Sequence, residues 1–202
     1  MEFKSYINGP FRTNSYLIYD LETKDSFILD PATECRPMFE DIKHLGLKPS
    51  HIILTHGHGD HTGGIWFYKE QFPEILVVAN IKDREFMLDR GASLGSGDIT
   101  ADIWIKGDSD FEVGSLKMKL IATPGHTEGG MCVYFEKEGM LFSGDTLFFG
   151  SVGRTDLPGG NMDKLLHSLK EKLLVLPDSV KVFPGHDSAT TIGYEKRYNP
   201  FV

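Results

Sequence analysis

The chain has 202 residues, 40% of them hydrophobic and 25% charged, with a formal net charge of -8. That length suits one domain spanning 1–202 with enough apolar material for a real core. The acidic balance, without any run of Lys or Arg, argues against a nucleic-acid partner, and no apolar stretch approaches the ~18 residues of a membrane helix.

Met1-Glu2-Phe3-Lys4-Ser5 opens no apolar leader segment, so a cytoplasmic location is expected. Taken in order, strand-like runs at 15–19 and 26–30 are followed by a helix-like segment at 37–45. A strand at 51–55, a helix at 65–71, a strand at 75–79 and a helix at 82–88 come next. Strands are then expected at 116–122, 131–135 and 140–143, a helix at 162–174 and a strand at 181–183. The last helix spaces Met162, Leu165, Leu166, Leu169, Leu173 and Leu174 near a 3.6-residue period. Early strands with little helix between them predict antiparallel pairing, and the later alternation predicts helices covering the sheets, a mixed α/β layered fold. Cys35 and Cys132 have no ligand spacing and read as reduced, inert thiols.

Four of the strand-like runs end alike. His51-Ile52-Ile53-Leu54-Thr55 meets His56-Gly57-His58-Gly59-Asp60-His61; Leu120-Ile121-Ala122 meets Thr123-Pro124-Gly125-His126; Met140-Leu141-Phe142-Ser143 meets Gly144-Asp145; Val182-Phe183 meets Pro184-Gly185-His186. Layered α/β folds gather sites where strand ends converge, so these seven side chains can meet. His56 and His58 are two apart, so an extended chain aims both rings to one side. Glycines after them permit a turn that swings Asp60 and His61 toward a second position. Two ions about 3.5–4 Å apart need a bridging anion, and Asp145 is the candidate. The expected sites are His56, His58, His126 and Asp145 for one ion, and Asp60, His61, His186 and the shared Asp145 for the other, each keeping an open position. Four imidazole or carboxylate groups within six residues would otherwise desolvate one another without compensation. Imidazole and carboxylate suit zinc first, with iron or manganese as alternatives. His44, His51 and His167 read as structural or solvated. Asp30, in Leu29-Asp30-Pro31, reads either as a carboxylate that orients a ligand imidazole or as a turn residue.

The run Thr55–His61 with the later His126, Asp145 and His186 resembles the signature of the metallo-β-lactamase superfamily across essentially the whole chain. The resemblance implies an αβ/βα four-layer sandwich: two mixed β-sheets face to face, helices on the outer faces and the metals at one edge. Gly144-Asp145-Thr146-Leu147-Phe148 and Pro184-Gly185-His186 look like glyoxalase II, a hydroxyacylglutathione thioesterase. Gly153-Arg154-Thr155-Asp156 and Glu195-Lys196-Arg197-Tyr198-Asn199-Pro200 are similar to persulfide dioxygenases. The best match is to compact glyoxalase II-like hydrolases. It implies a small-molecule thioester substrate of glutathione type, metal-activated water as nucleophile with Asp60 orienting it, and Arg154 as a substrate contact. The alternatives are an iron-dependent sulfur dioxygenase and a lactonase-type hydrolase. The chain departs from full glyoxalase II in ending at Val202, without the helical domain that helps hold glutathione. Arg154 and Asp156 stand where that family has Lys and Tyr, and Ser188 where it often has Tyr.

Overall fold

A computed structural model describes residues 1–88 and 99–202. Its first sheet runs in chain order: β1 (Glu2–Asn8), β2 (Thr13–Tyr19), β3 (Asp25–Leu29), β4 (Lys48–Ile53), β5 (Leu76–Asn80) and β6 (Ile103–Ile105). β1, β2 and β3 pair antiparallel, while β3 to β6 pair parallel. The second sheet contains β7 (Ser109–Val113), β8 (Leu116–Ala122), β9 (Met131–Phe135), β10 (Met140–Gly144), β13 (Lys181–Pro184) and β14 (Thr190–Thr191). It is antiparallel except where β10 meets β13. A small hairpin, β11 (Leu147–Phe148) with β12 (Ser151–Val152), follows β10. The strands open α1 (Arg36–Leu45), α2 (Gly59–Thr62), α3 (Ile65–Gln71), α4 (Arg84–Leu88), α5 (Met162–Ser168) and α6 (Ile192–Tyr198) between them.

Alternation along the strands builds the layers. Tyr16, Ile18, Phe27, Leu29, Ile53 and Val78 from the first sheet pack against Met118, Leu120, Val133, Phe135 and Phe142 from the second, forming the central core. Their neighbours Leu17, Ile28, Ile52 and Val77 face outward onto Met38, Ile42 and Tyr68 of α1 and α3. On the other side Cys132, Tyr134, Leu141 and Val182 face Leu165, Leu169 and Ile192. Both faces of the inner strands are therefore covered, which is why they read as continuous apolar runs. The result is the expected four-layer sandwich of two mixed sheets with helices outside.

Several elements differ from the sequence expectation. The long helix at 162–174 is α-helical only to Ser168 and continues as a π-helical stretch, Leu169–Leu173. The helix at 82–88 begins as a 3-10 turn, Ile81–Asp83. β1 is half-exposed and polar at alternate positions, so it carries no strong apolar signal; β6 and β14 span only three and two residues, and β7 and α6 likewise fall outside the expected elements. No helix among the described residues is long and apolar enough to cross a membrane.

Candidate metal centre

Parallel register sets the site. β3 and β4 pair with Leu29 opposite Ile53, and β10 and β13 with Gly144 opposite Pro184. Asp30 and the 54–56 segment therefore leave the first sheet side by side, as Asp145 and His186 leave the second. The two sheets are joined at this edge: Met131 N–H donates to Thr55 O at 2.8 Å, Asn14 N–H to Gly185 O at 2.7 Å, and Tyr16 Oη–H to Pro184 O at 2.6 Å. The approach is so close that a Cβ at Gly144 would collide with the Thr55 hydroxyl, and Gly144 also sits at φ 49°. A Cβ at Gly185 would likewise meet Asp145 and His61. Only glycine serves at either place.

The first motif behaves as its spacing predicts. His58 is extended, at φ -67° and ψ 146°, and caps the short helix α2. His56 and His58 hold their rings 4.8 Å apart, and the α2 turn brings His61 to 4.1 Å from His56. Three groups of ligand atoms result, each within 4.8 Å: His56, His58 and His126; His56, His61 and Asp145; Asp60, His61 and His186. His58 Nδ1 lies 2.9 Å from His126 Nε2, and His61 Nε2 lies 3.3 Å from His186 Nε2. Asp145 stands between the groups, with Oδ2 3.6 Å from His126 Nε2 and 3.5 Å from His186 Nε2, and Oδ1 3.4 Å from His61 Nε2. Asp60 Oδ2 is 3.3 Å from His186 Nε2. All seven residues singled out in the sequence thus converge, while His44, His51 and His167 join none of these groups.

The imidazoles are oriented from behind. His61 Nδ1 is 2.9 Å from Asp30 Oδ2, His126 Nδ1 is 2.7 Å from Arg154 O, and His186 Nδ1 is 3.2 Å from Phe11 O. Thr55 Oγ1 donates to Asp30 at 2.6 Å, leaving it to accept from His56 Nδ1 at 3.0 Å. Each acceptor fixes the proton on Nδ1 and turns the Nε2 lone pair inward, the second ring nitrogen being what selects the ligand atom. Asp30 is thus both the turn residue after β3, at φ 50°, and an orienting carboxylate.

Five buried side-chain polar atoms have no hydrogen-bonding partner among the described residues: Ser26 Oγ and Ser109 Oγ away from the centre, and His56 Nε2, His58 Nε2 and Asp145 Oδ1 on residues of the centre. Buried polar atoms are seldom left so, and His56 Nε2 and Asp145 Oδ1 belong to the converging groups. The electrostatics agree. Burial, with neighbouring imidazoles, holds His56 well below its usual range and His58 down to about 4. Burial opposes the charge on His61 and His186 too, yet Asp145 and Asp30 raise His61 well above its usual range, and Asp145 and Asp60 push His186 up to about 9. Asp145 stays ionised despite burial because His61 and His186 face it. The Asp60 and Asp145 carboxylates thus draw positive charge into the centre, as protons on His61 and His186 that a bound cation would displace.

A cavity of about 450 Å³ opens over these residues, walled by Phe11, Phe148, Val152 and Leu157 with Arg154 at its rim. The Arg154 guanidinium is exposed and holds Asp156 in a bidentate pair, with Nε and one Nη each 2.7 Å from a carboxylate oxygen. Sequence reasoning missed Thr13, whose hydroxyl lies 3.4 Å from Asp60, and Asp83, which holds two ligand loops together. Nothing in the local pattern marks either one.

The profile of the metallo-beta-lactamase superfamily matches residues 8–186. The chain is 35% identical over 199 residues to the hydroxyacylglutathione hydrolase GloC of Haemophilus influenzae, covering 95% of this chain and 93% of the other. Among solved structures, the BLEG-1 B3 metallo-beta-lactamase superposes with a TM-score of 0.92 at 36% identity, covering 99% of each chain. TTHA1623 in a di-iron-bound form gives 0.86 at 33% identity, over 98% of this chain and 100% of that one. ETHE1 from Myxococcus xanthus gives 0.82 at 29%, over 99% and 84%.

Proposed function

The chain belongs to the metallo-beta-lactamase superfamily, and we propose that it is a dinuclear metal-dependent hydrolase that cleaves thioesters of the hydroxyacylglutathione type. The observation that carries the reading is the convergence of two ligand groups on either side of Asp145, beneath an open, partly apolar cavity. The similarity to GloC supports the substrate class.

His56, His58 and His126 would hold one ion, Asp60, His61 and His186 the other, with Asp145 shared. Bound ions would supply Lewis acidity, lowering the pKa of a water toward ~7 and polarising a carbonyl. The chain's own residues do the rest. Asp60, held by Thr13 at 3.4 Å and His186 at 3.3 Å, orients the attacking water and accepts its hydrogen bond. Phe11, Phe148, Val152 and Leu157 offer the substrate an apolar wall beside the metal ligands. No further general acid is called for, because a leaving thiol has a reference pKa near ~8.5 and departs readily as the thiolate. Arg154 at the rim is placed to contact an anionic tail. The partner is a small molecule, neither nucleic acid nor membrane, and the two free buried thiols suit a reducing cytoplasm.

The likeness to ETHE1 supports a second reading, an iron-dependent sulfur dioxygenase. His56, His126 and Asp145 form a two-His, one-carboxylate set of the kind iron oxygenases use. Metal analysis paired with two assays separates the readings. S-lactoylglutathione cleavage abolished by chelation supports the hydrolase. Oxygen uptake with glutathione persulfide and no thioester cleavage overturns it.

A further inference from the structure

Asp83, at the end of the 3-10 turn after β5, is 2% exposed. Its carboxylate accepts three hydrogen bonds from two separate loops. Oδ2 takes the Gly57 N–H at 2.9 Å and the Thr127 hydroxyl at 2.8 Å, and Oδ1 takes the Gly129 N–H at 2.6 Å. Gly57 lies between His56 and His58, and Thr127 follows His126. One side chain therefore ties together the two loops that deliver all three imidazoles of one ligand group. No Lys or Arg pairs with Asp83 among the described residues, so these three donors and the nearby His126 are what offset its burial. Burying an acid in this way is costly unless the charge is used. The other ligand group rests on different supports: Asp30 behind His61 and the Phe11 carbonyl behind His186.

We propose that Asp83 is a positioning residue that sets the His56, His58 and His126 group for its metal ion, and does so selectively over the Asp60, His61 and His186 group. The inference rests on the two-ion reading above. Asp83 touches neither ion nor substrate. It fixes the spacing of the two loops, so that His58 Nδ1 and His126 Nε2 face each other at 2.9 Å. Residues that orient ligands from behind typically change metal affinity by about 10- to 100-fold when replaced.

The test is Zn²⁺ titration against a competing chromophoric chelator. Wild type is titrated first, and then Asp83→Asn in two backgrounds: His186→Ala, which retains the three-His group, and His58→Ala, which retains the other. Asparagine keeps the shape but turns an amide N–H toward a donor. The expected result is about 10- to 100-fold weaker Zn²⁺ binding in the His186→Ala background and unchanged binding in the His58→Ala background. Thr127→Ala, which removes one donor, gives a smaller loss with the same selectivity, and Thr127→Ser restores it. These two variants decide the matter should Asp83→Asn fail to fold. Equal loss in both backgrounds, or none in the His186→Ala background, overturns the inference. A wild type that binds a single ion sinks the two-ion reading, while the role of Asp83 is still decided by the His186→Ala pair.

Discussion

Asp30 Oδ2 lies 2.9 Å from His61 Nδ1, and the same carboxylate accepts both the backbone N–H and the hydroxyl of Thr55, at 2.7 and 2.6 Å. One buried acid therefore fixes Thr55 at the entry to the ligand loop and the ring of His61, six positions farther on. It does so from a left-handed conformation, φ 50°, that non-glycine residues seldom adopt. Asp30→Ala should weaken the ion held by Asp60, His61 and His186 by about 10- to 100-fold. The check is metal content after exhaustive dialysis; retention of both ions at wild-type affinity would remove Asp30 from the metal centre.

Asp145 should count twice. Its two oxygens face His61 on one side and His126 and His186 on the other. Elemental analysis of the purified wild type should give close to two metals per chain, and Asp145→Ala should lower both occupancies together. Loss of one ion with full retention of the other would show that the carboxylate serves a single site.

The seven converging side chains were legible because they cluster where apolar strand-like runs end, His126, Asp145 and His186 directly after a Gly or Pro-Gly step, and because four of them lie within six residues. The double-sheet core was legible for a related reason: strands covered on both faces carry unbroken apolar runs. What escaped detection is non-local. Asp83 acts on groups 26 and 46 residues away, and its own segment reads as an ordinary helix start. The edge strand β1 and the π-helical stretch after α5 depend on tertiary contacts that local periodicity does not record.

Arg154 separates substrate contact from loop support. Its guanidinium is bidentate with Asp156, both side chains being exposed, and such pairs hold little stability. The pairing leaves the cation at the cavity rim, free to exchange Asp156 for a substrate carboxylate. A shielded hydrogen bond to a charged group is worth roughly 10- to 100-fold in affinity. Arg154→Ala should raise KM for an anionic glutathione thioester by up to that factor and leave kcat nearly unchanged, since the contact is remote from the scissile bond. Asp156→Ala should lower KM or leave it unchanged. Equal loss on a small neutral thioester, together with a lower Tm, would assign Arg154 to the loop.

Glu195 is fully buried on α6 and holds the cavity wall from behind. Its Oε1 accepts the Thr190 hydroxyl at 2.5 Å, and its Oε2 accepts Gly150 N–H at 3.0 Å and Asn199 Nδ2 at 2.8 Å. Asn199 also donates to Ser151 O at 3.0 Å. Gly150 and Ser151 belong to the β11–β12 hairpin, whose Phe148, Ser151 and Val152 line the cavity. The Glu195–Pro200 segment thus anchors that hairpin to the C-terminal helix. Glu195→Ala leaves buried donors without an acceptor, each costing about 1–3 kcal/mol. In a chain of this size one kcal/mol lowers Tm by about 2–4 °C, so the melting temperature should fall by several degrees. The hairpin should loosen as well, raising KM more than it lowers kcat. Steady-state kinetics well below the new Tm provide the check, and a lowered Tm with KM unchanged would confine Glu195 to stability alone.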